Sequence, residues 1–129
     1  MSVTLTAQDQ ATIRTAAYGA VSLLAAASAK PSKAAISGTR ALTSATGEIG
    51  HVLNAKSKDI NLKGKTVAAL ADQVLPTLTE ALTLLDHHNP TEAENFRTTL
   101  QVAIAAATDP ATPATAEMAR KLTAALHTA

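Results

Sequence analysis

Residues that could bind a metal ion or catalyse a reaction are few and scattered along the chain. Glu48 and His51 form a Glu-x-x-His pair on a predicted helix, the spacing that di-metal centres use in ferritin-like bundles. Such a centre needs two of these motifs and two further carboxylates pointing inward, whereas this chain has one motif. The two side chains lie roughly 100° and 160° from the centre of that helix's apolar stripe. We therefore expect both to face water, and we predict no metal and no cofactor.

Two further polar groups have simple structural explanations. Gly64-Lys65-Thr66 matches the end of a phosphate-binding P-loop, but Asp59 stands where the leading glycine belongs and no strand precedes it. A glycine turn followed by an N-cap threonine accounts for these residues. His87 and His88 end the third predicted helix, where a histidine interacts favourably with the negative end of the helix dipole.

Catalytic arrangements are missing from the rest of the chain. There is no cysteine, which excludes a thiolate nucleophile, a disulfide and a Cys-ligated metal. No pair of carboxylates falls on an apolar face, so general acid–base catalysis has no predicted position. No nucleophile elbow singles out one of the many Ser and Thr residues. We predict that the protein is not an enzyme.

Charge is distributed unevenly, although the net charge is only +1. Residues 30–65 carry seven basic and two acidic residues, whereas residues 66–129 carry three basic and seven acidic ones. We interpret these as solvated faces of neighbouring helices in one fold. The basic segment lacks an aromatic residue to stack on a base, which argues against nucleic acid as a partner. The residues predicted to contact an anion or a partner are Lys56, Lys58, Lys63 and Lys65.

The remaining composition predicts helices. Thirty of the 129 residues are alanine, the best intrinsic helix former, and Tyr18 and Phe96 are the only aromatic residues. Apolar residues at three- and four-residue steps predict an all-α antiparallel bundle of four long helices and a short C-terminal helix, one domain spanning 1–129. The first predicted helix begins near Thr6, with Asp9 in a capping box, and the second runs from Ser32 to Ala55. The third begins at Thr66 as N-cap, and the fourth begins at a Thr91–Glu94 capping box. The short C-terminal helix follows a loop with Pro110 and Pro113.

The second of these helices is the least regular. Its apolar stripe includes Ala35 and Leu42, but three glycines, at positions 38, 47 and 50, each cost helix stability by roughly 1 kcal/mol relative to alanine. They indicate either close backbone contact with a neighbour or a break in the helix. Pro76 falls opposite the stripe of the third helix, where it can bend the helix around the core. Glu117 and Lys121 are a predicted exposed ion pair of the last helix.

The N-terminal region resembles a secretory signal only in part. Residues 15–29 are uncharged, and Ala27-Ser28-Ala29 resembles a signal-peptidase site. The preceding segment holds Asp9 and a single base, Arg14, where a signal has clustered positive charge. The stretch is also shorter than the roughly 20 residues that cross a bilayer. We expect a helix of the mature protein, no membrane span and a cytoplasmic location, with export as the alternative.

Three segments together resemble a family. They are RTAAYGAVSLL at residues 14–24, DQVLPTLTEALTLL at residues 72–85, and NFR at residues 95–97 entering an alanine-rich helix. Their order is similar to that of small uncharacterised helical proteins of actinobacteria, which also end in a short helix after a loop. The resemblance implies a helical fold across most of the chain, and it implies no activity or site residue.

The sequence therefore predicts function from surfaces and core. We expect a non-catalytic helical-bundle protein that acts through protein–protein interaction or self-association, with a protein partner or a second copy as its partner. The alternative is a binder of a hydrophobic small molecule such as a fatty acyl chain, because a core of small side chains can leave a gap between helices. The residues predicted to line such a cavity are Leu24, Ile49, Val74, Leu78, Leu100 and Ile104.

Overall fold

The fold is described from a computed structural model that covers residues 5–55, 60, 62, 64–109 and 111–127. Within these ranges the protein is all-α, as predicted, and contains no strand. The helices of the described residues are α1 (Ala7–Ala27), α2 (Pro31–Thr43), α3 (Gly47–Asn54), α4 (Val67–His88), α5 (Pro90–Thr108) and α6 (Pro113–Leu126). None of them combines the length and the apolarity that crossing a membrane requires.

Two of the predicted helix starts are confirmed. The Thr6 hydroxyl accepts a hydrogen bond from the Asp9 backbone N–H at 3.0 Å, and the Asp9 carboxylate accepts one from the Thr6 N–H at 3.0 Å. These reciprocal bonds form the capping box of α1. Thr66 caps α4 in the same way by accepting from the Ala69 N–H at 3.0 Å.

The start of the next helix differs from the prediction. Asn89 is the N-cap of α5, and its side chain accepts a hydrogen bond from the Thr91 N–H at 3.0 Å. Pro90 occupies the first helical position, where the absent N–H costs nothing and the ring already holds a helical φ. The predicted Thr91–Glu94 capping box is therefore wrong. Asn-Pro has already begun the helix before Thr91.

The helix predicted from Ser32 to Ala55 is broken into α2 and α3. Gly47 has a φ of 72°, in the left-handed region that glycine adopts without strain, and it is the first residue of α3. A Cβ on Gly50 would overlap the Ala45 carbonyl oxygen, so this turn also needs glycine there. Gly38 has the other role, since a Cβ on it would lie 2.8 Å from Val21 of α1. Both explanations for the glycines hold, at different positions.

α1 is the central element of the core and contacts each of the other five helices. Its buried face combines three alanines and one glycine with larger side chains such as Ile13 and Leu24, and a Cβ on Gly19 would lie 2.9 Å from Val74 of α4. Small residues thus let these two helices approach closely. Buried apolar side chains from all six helices form one cluster. Phe96 is its largest fully buried side chain.

Contacts between paired helices set their directions. Leu5 shares a cavity with His88, whereas Gly19 lies beside Val74, so α1 and α4 run in opposite directions. α2 and α5 do the same, because Gly38 lies against Ala107 while Ala45 shares a groove with Asn95.

Two smaller expectations have different outcomes. Pro76 is exposed within α4, on the side of the helix away from its buried residues, as predicted.

The predicted partner of Glu117 is wrong, because its carboxylate hydrogen-bonds Arg120 at 3.1 Å rather than Lys121. The guanidinium of Arg120 is three residues away and reaches the carboxylate with two N–H donors. These bonds hold the pKa of Glu117 below its usual range.

Candidate functional site

The Glu-x-x-His motif lies on the exposed side of α3. Glu48 and His51 are both exposed, and the Glu48 carboxylate lies 2.7 Å from Nε2 of His88 at the end of α4. The motif's carboxylate thus pairs with a histidine that the spacing alone did not indicate. Within the part of the chain that the structure describes, no group of three or more His, Cys, Asp or Glu residues could hold a metal ion.

The N-terminal end of α3 is held by a carboxylate from α5. Glu92 Oε1 accepts a hydrogen bond from the Ile49 backbone N–H at 2.9 Å. Asn95, one turn further along α5, donates to the Thr46 carbonyl at 2.9 Å. A negative charge at a helix N-terminus is favoured by the helix dipole and pairs an N–H that the helix itself leaves free. Glu92 therefore completes a cap that Thr46 does not provide, since the Thr46 side chain makes no capping bond.

The other end of α3 is held by α1. Arg14 is 5% exposed and donates from Nη1 to the Val52 carbonyl at 3.2 Å. Tyr18, one turn further along α1, donates its hydroxyl hydrogen to the Leu53 carbonyl at 2.7 Å. A cation and a hydroxyl donor are the groups that the carbonyl end of a helix prefers. Burial raises the pKa of Tyr18, and the positive charge of Arg14 opposes part of that rise.

Sequence reasoning misses both of these side chains. It treats Arg14 only as a base before an uncharged segment, and it counts Tyr18 only as one of the two aromatic residues. The available signal is their spacing of four residues, which places two hydrogen-bond donors on one face of an otherwise uncharged helix segment. Arg97 has a similar role on α5, where Nε donates to the Leu126 carbonyl at the end of α6 at 2.9 Å.

A cavity of about 240 Å³ lies where α1 begins and α4 ends. It is lined by Leu5, Asp9, Leu84, His87 and His88. The side chain of His88 is 10% exposed, and its Nδ1 has no hydrogen-bond partner among the described residues. Asp9 belongs to the capping box of α1. Two polar side chains of this cavity thus have structural roles. Asp9 caps α1, and His88 links the end of α4 to Glu48 of α3.

The residues predicted to line a ligand cavity all lie in the core. Leu24, Ile49, Val74, Leu78 and Leu100 are 0% exposed and Ile104 is 5% exposed. None of them lines the cavity at His88, the groove on α2 or the groove between α2 and α5. No observation thus favours the hydrophobic-ligand hypothesis over ordinary core packing.

The predicted lysine contact is described only at one residue. Lys56, Lys58 and Lys63 lie outside the described residues. Lys65 is exposed and directly precedes Thr66, the N-cap of α4.

The outward face of α2 is exposed to solvent, and we define it by Lys33, Ile36 and Arg40. α2 buries Ala34, Gly38 and Leu42 against the core, which turns these other residues toward solvent. Ile36 is 59% exposed, and it lines a shallow groove of about 440 Å³ together with Arg40 and three small or hydroxyl residues. A single exposed apolar side chain is common on protein surfaces, so it is the groove and the adjacent cations that distinguish this face.

The charges of this face have no partner within the described part of the fold. α2 contains no acidic residue, and neither Lys33 nor Arg40 forms an ion pair there. Lys30 is the N-cap and makes no side-chain capping bond, and Lys33 lies in the first turn. Cations at a helix N-terminus oppose the dipole, at a cost of about 0.3–1 kcal/mol each. The stability of α2 therefore does not explain these lysines.

Sequence reasoning gives Ile36 no role, for a physical reason. Because the predicted helix runs unbroken to Ala55, its stripe is centred near Ala35, whereas the structure buries Ala34 and leaves Ala35 half-buried. The corrected phase places Ile36 opposite the core. That one apolar residue on a basic helix face is the signal in the sequence.

Comparisons with known proteins do not assign this surface. No family model matches the chain, and no curated protein or solved structure matches it either. The resemblance to small actinobacterial helical proteins therefore stays a prediction. Any function of the chain has to be inferred from its fold and its surface.

Proposed function

We propose that this chain is a non-catalytic helical protein that acts by binding a protein partner or by self-association through the outward face of α2. One observation carries the proposal: Ile36 is 59% exposed between two cations, Lys33 and Arg40, that have no acidic partner in the described structure. Burying an exposed isoleucine under a partner gains about 1.5–3 kcal/mol. The same partner can supply the missing negative charge.

A binding role fits the use of the other ionisable groups. Arg14 and Glu92 hold the ends of α3, Arg97 binds the end of α6, and Glu48 pairs with His88. Each of these side chains stabilises a helix end or links two helices. Catalysis needs groups positioned toward a substrate, and these groups are directed toward the fold itself.

The proposal includes the arrangement in which the surface is presented. Short connections and opposed directions in α1–α4 and α2–α5 support an antiparallel bundle, in which α2 and α3 together take the place of one long helix. We propose the cytoplasm as its location and no cofactor for its action.

Site-specific photocrosslinking in the native cells tests the contact surface. A benzophenone side chain in place of Thr39, which lines the α2 groove, is expected to form one dominant covalent adduct. The same side chain in place of Glu117, exposed on α6, is the matched control and is expected to form none. Arg40→Glu should abolish the adduct at position 39. An adduct pattern that is equal at both positions, or absent at both, would contradict the proposal.

A further inference from the structure

We infer that the partner of the outward face of α2 is α4 of a second copy of this chain, so that copies associate head to tail. α2 of one copy lies antiparallel to α4 of the next, with Lys33 beside Glu80 and Arg40 beside Asp72. This inference rests on the proposed function and names the partner.

The outward face of α4 has the opposite charge to the outward face of α2. We define it by Asp72, Pro76 and Glu80, which are all exposed, whereas α4 buries Val74 and Leu78 on its other side. α4 contains three acidic residues and no lysine or arginine. α2 contains two basic residues and no acidic one. The two helices therefore present complementary charge, which attracts surfaces to each other and fixes their register.

These charges are not paired inside the molecule. Neither Asp72 nor Glu80 forms an ion pair with a described residue, and the same holds for Lys33 and Arg40. α2 and α4 also make no contact with each other within the described fold. The cations of one helix and the anions of the other thus remain available to a second copy.

The spacing of the charges matches as well. Lys33 and Arg40 are separated by about 10.5 Å along α2, at about 1.5 Å per residue. Asp72 and Glu80 are separated by about 12 Å along α4 on the same basis. Long, flexible basic side chains can span the difference of about 1.5 Å. Ile36 then lies opposite Pro76, so that an apolar contact is flanked by two ion pairs.

Two features favour the antiparallel orientation. Antiparallel helices place the positive end of each dipole beside the negative end of the other. Lys65 is exposed just before α4, and a parallel arrangement would bring it close to Lys30 at the start of α2. The antiparallel arrangement places Lys30 near the C-terminal end of α4 instead, where a cation is favoured.

The positions of α2 and α4 in the fold make the contact propagate. Both helices pack against α1 and α5, which also contact each other, but α2 and α4 do not touch within the described fold. They therefore lie on opposite sides of the α1–α5 pair, and their outward faces point away from each other. A copy bound through its α4 cannot return its own α2 to the first copy. The repeated contact builds an open chain or a ring of several copies rather than a two-fold dimer.

A symmetric contact between two α2 helices fits the surface less well. Packing α2 against α2 around Ile36 brings Lys33 and Arg40 of the two copies together, and like charges repel. The contact between α2 and α4 places every one of these cations beside an anion.

Analytical ultracentrifugation of the full chain at low ionic strength tests the inference. The weight-average mass is expected to rise with concentration beyond that of a dimer. It should fall when salt is added, because salt screens exposed ion pairs.

Charge reversal tests the two faces separately. The double variant Lys33→Glu/Arg40→Glu should weaken association about tenfold or more, because it makes α2 repel α4. The double variant Asp72→Lys/Glu80→Lys should have the same effect from the other side. Lys121→Glu, which reverses an exposed cation on α6, is the matched control and should change affinity less than about twofold. Thermal unfolding by circular dichroism checks that each variant is folded.

Mixing the two reversed variants gives the sharpest test. Each double variant has two outward faces of the same sign, so neither should associate alone. In an equimolar mixture, the negative α2 of one variant meets the positive α4 of the other, and the reverse contact also joins opposite charges. Association should therefore return to within about threefold of wild type.

Several results would overturn the inference. A mass that stays at that of the monomer, or that levels off at that of the dimer, contradicts head-to-tail association. A mixture of the reversed variants that stays monomeric shows that these charges do not direct the contact.

The photocrosslink at position 39 separates this inference from the proposed function. An adduct with α4 of a second copy supports both. An adduct with a different protein overturns this inference and leaves the proposed function in place. The absence of any adduct contradicts the proposed function itself.

Discussion

α3 and α2 are adjacent in the chain, but they differ in whether side chains from other helices bond to their ends. Both ends of α3 are satisfied by side chains from distant helices, Glu92 at one end and Arg14 with Tyr18 at the other. The N-terminal end of α2 has a lysine as N-cap, no capping bond and no acidic residue. The difference separates residues that serve the fold from residues that the fold does not need. Lys33, whose charge opposes the helix dipole, and the exposed Ile36 are residues that the fold does not need.

The largest expected effect is at Arg14. Arg14→Met removes a nearly buried donor and leaves the Val52 carbonyl without that partner, which should lower the free energy of unfolding by about 2–3 kcal/mol. Urea denaturation followed by circular dichroism measures it. Arg14→Lys is the control that keeps the charge without the guanidinium, and it should lose less. A loss below about 0.5 kcal/mol for Arg14→Met would show that the bond from Arg14 to α3 contributes little to the stability of the fold.

Glu92 should give the next largest effect. Glu92→Ala removes the hydrogen bond to the Ile49 N–H and the negative charge at the start of α3, at an expected cost of about 1–2 kcal/mol. Glu94→Ala is the matched control on the same helix, since its exposed carboxylate pairs with Arg97 and should contribute less than about 0.5 kcal/mol. Equal losses in the two variants, measured by urea denaturation, would remove the special role of Glu92.

Tyr18 sharpens the comparison through pH. The pKa of Tyr18 is raised above its ordinary value of 10.0 by burial, so the neutral hydroxyl is the form that the folded protein favours. Its contribution to stability is complete below the ordinary value and is lost as the pH rises through the higher folded value. Tyr18→Phe should therefore lose about 1 kcal/mol at neutral pH and show less alkaline destabilisation than wild type. Since Tyr18 is the only tyrosine, its ultraviolet absorbance reports the titration directly, and a midpoint at or below the ordinary value would contradict the expectation.

The smallest expected effect on the fold is on α2. Lys33→Glu replaces a cation in the first turn with an anion that the dipole favours, so the free energy of unfolding should rise by about 0.3–1 kcal/mol. The same variant should weaken partner binding. Thermal unfolding tests the first statement, and the yield of the photocrosslinked adduct at position 39 tests the second. If Lys33→Glu is less stable than wild type and still binds the partner equally well, the distinction drawn between α2 and α3 is contradicted.

The local features of the fold could be predicted from the sequence. Thr6 with Asp9 and Thr66 are capping patterns only a few residues long, and both are confirmed. The break before Gly47 could not be decided, because a glycine in a helix is compatible with either a break or a close contact. The bonds from Arg14 and Glu92 to α3 span 38 and 43 residues, so no local pattern contains them.

The candidate surface could be predicted less well. The excess of basic residues at 30–65 indicates the part of the chain that contains α2, but it favours the loop lysines as the contact. The helical phase of α2 depends on where the helix ends, and an unbroken helix hides the exposed position of Ile36.

The alanine-rich centre of the molecule has a consequence for synthesis of the chain. α1 is made first, and the face that receives Val74 of α4 stays uncovered until more than fifty further residues have followed Gly19. A face of leucine or phenylalanine would be prone to aggregation throughout that interval, because apolar attraction grows with exposed area. Alanine and glycine expose little apolar area before α4 is synthesised, and they pack closely against α4 once it folds onto α1. The part of α1 around Gly19 thus adds little apolar area to the nascent chain during that interval.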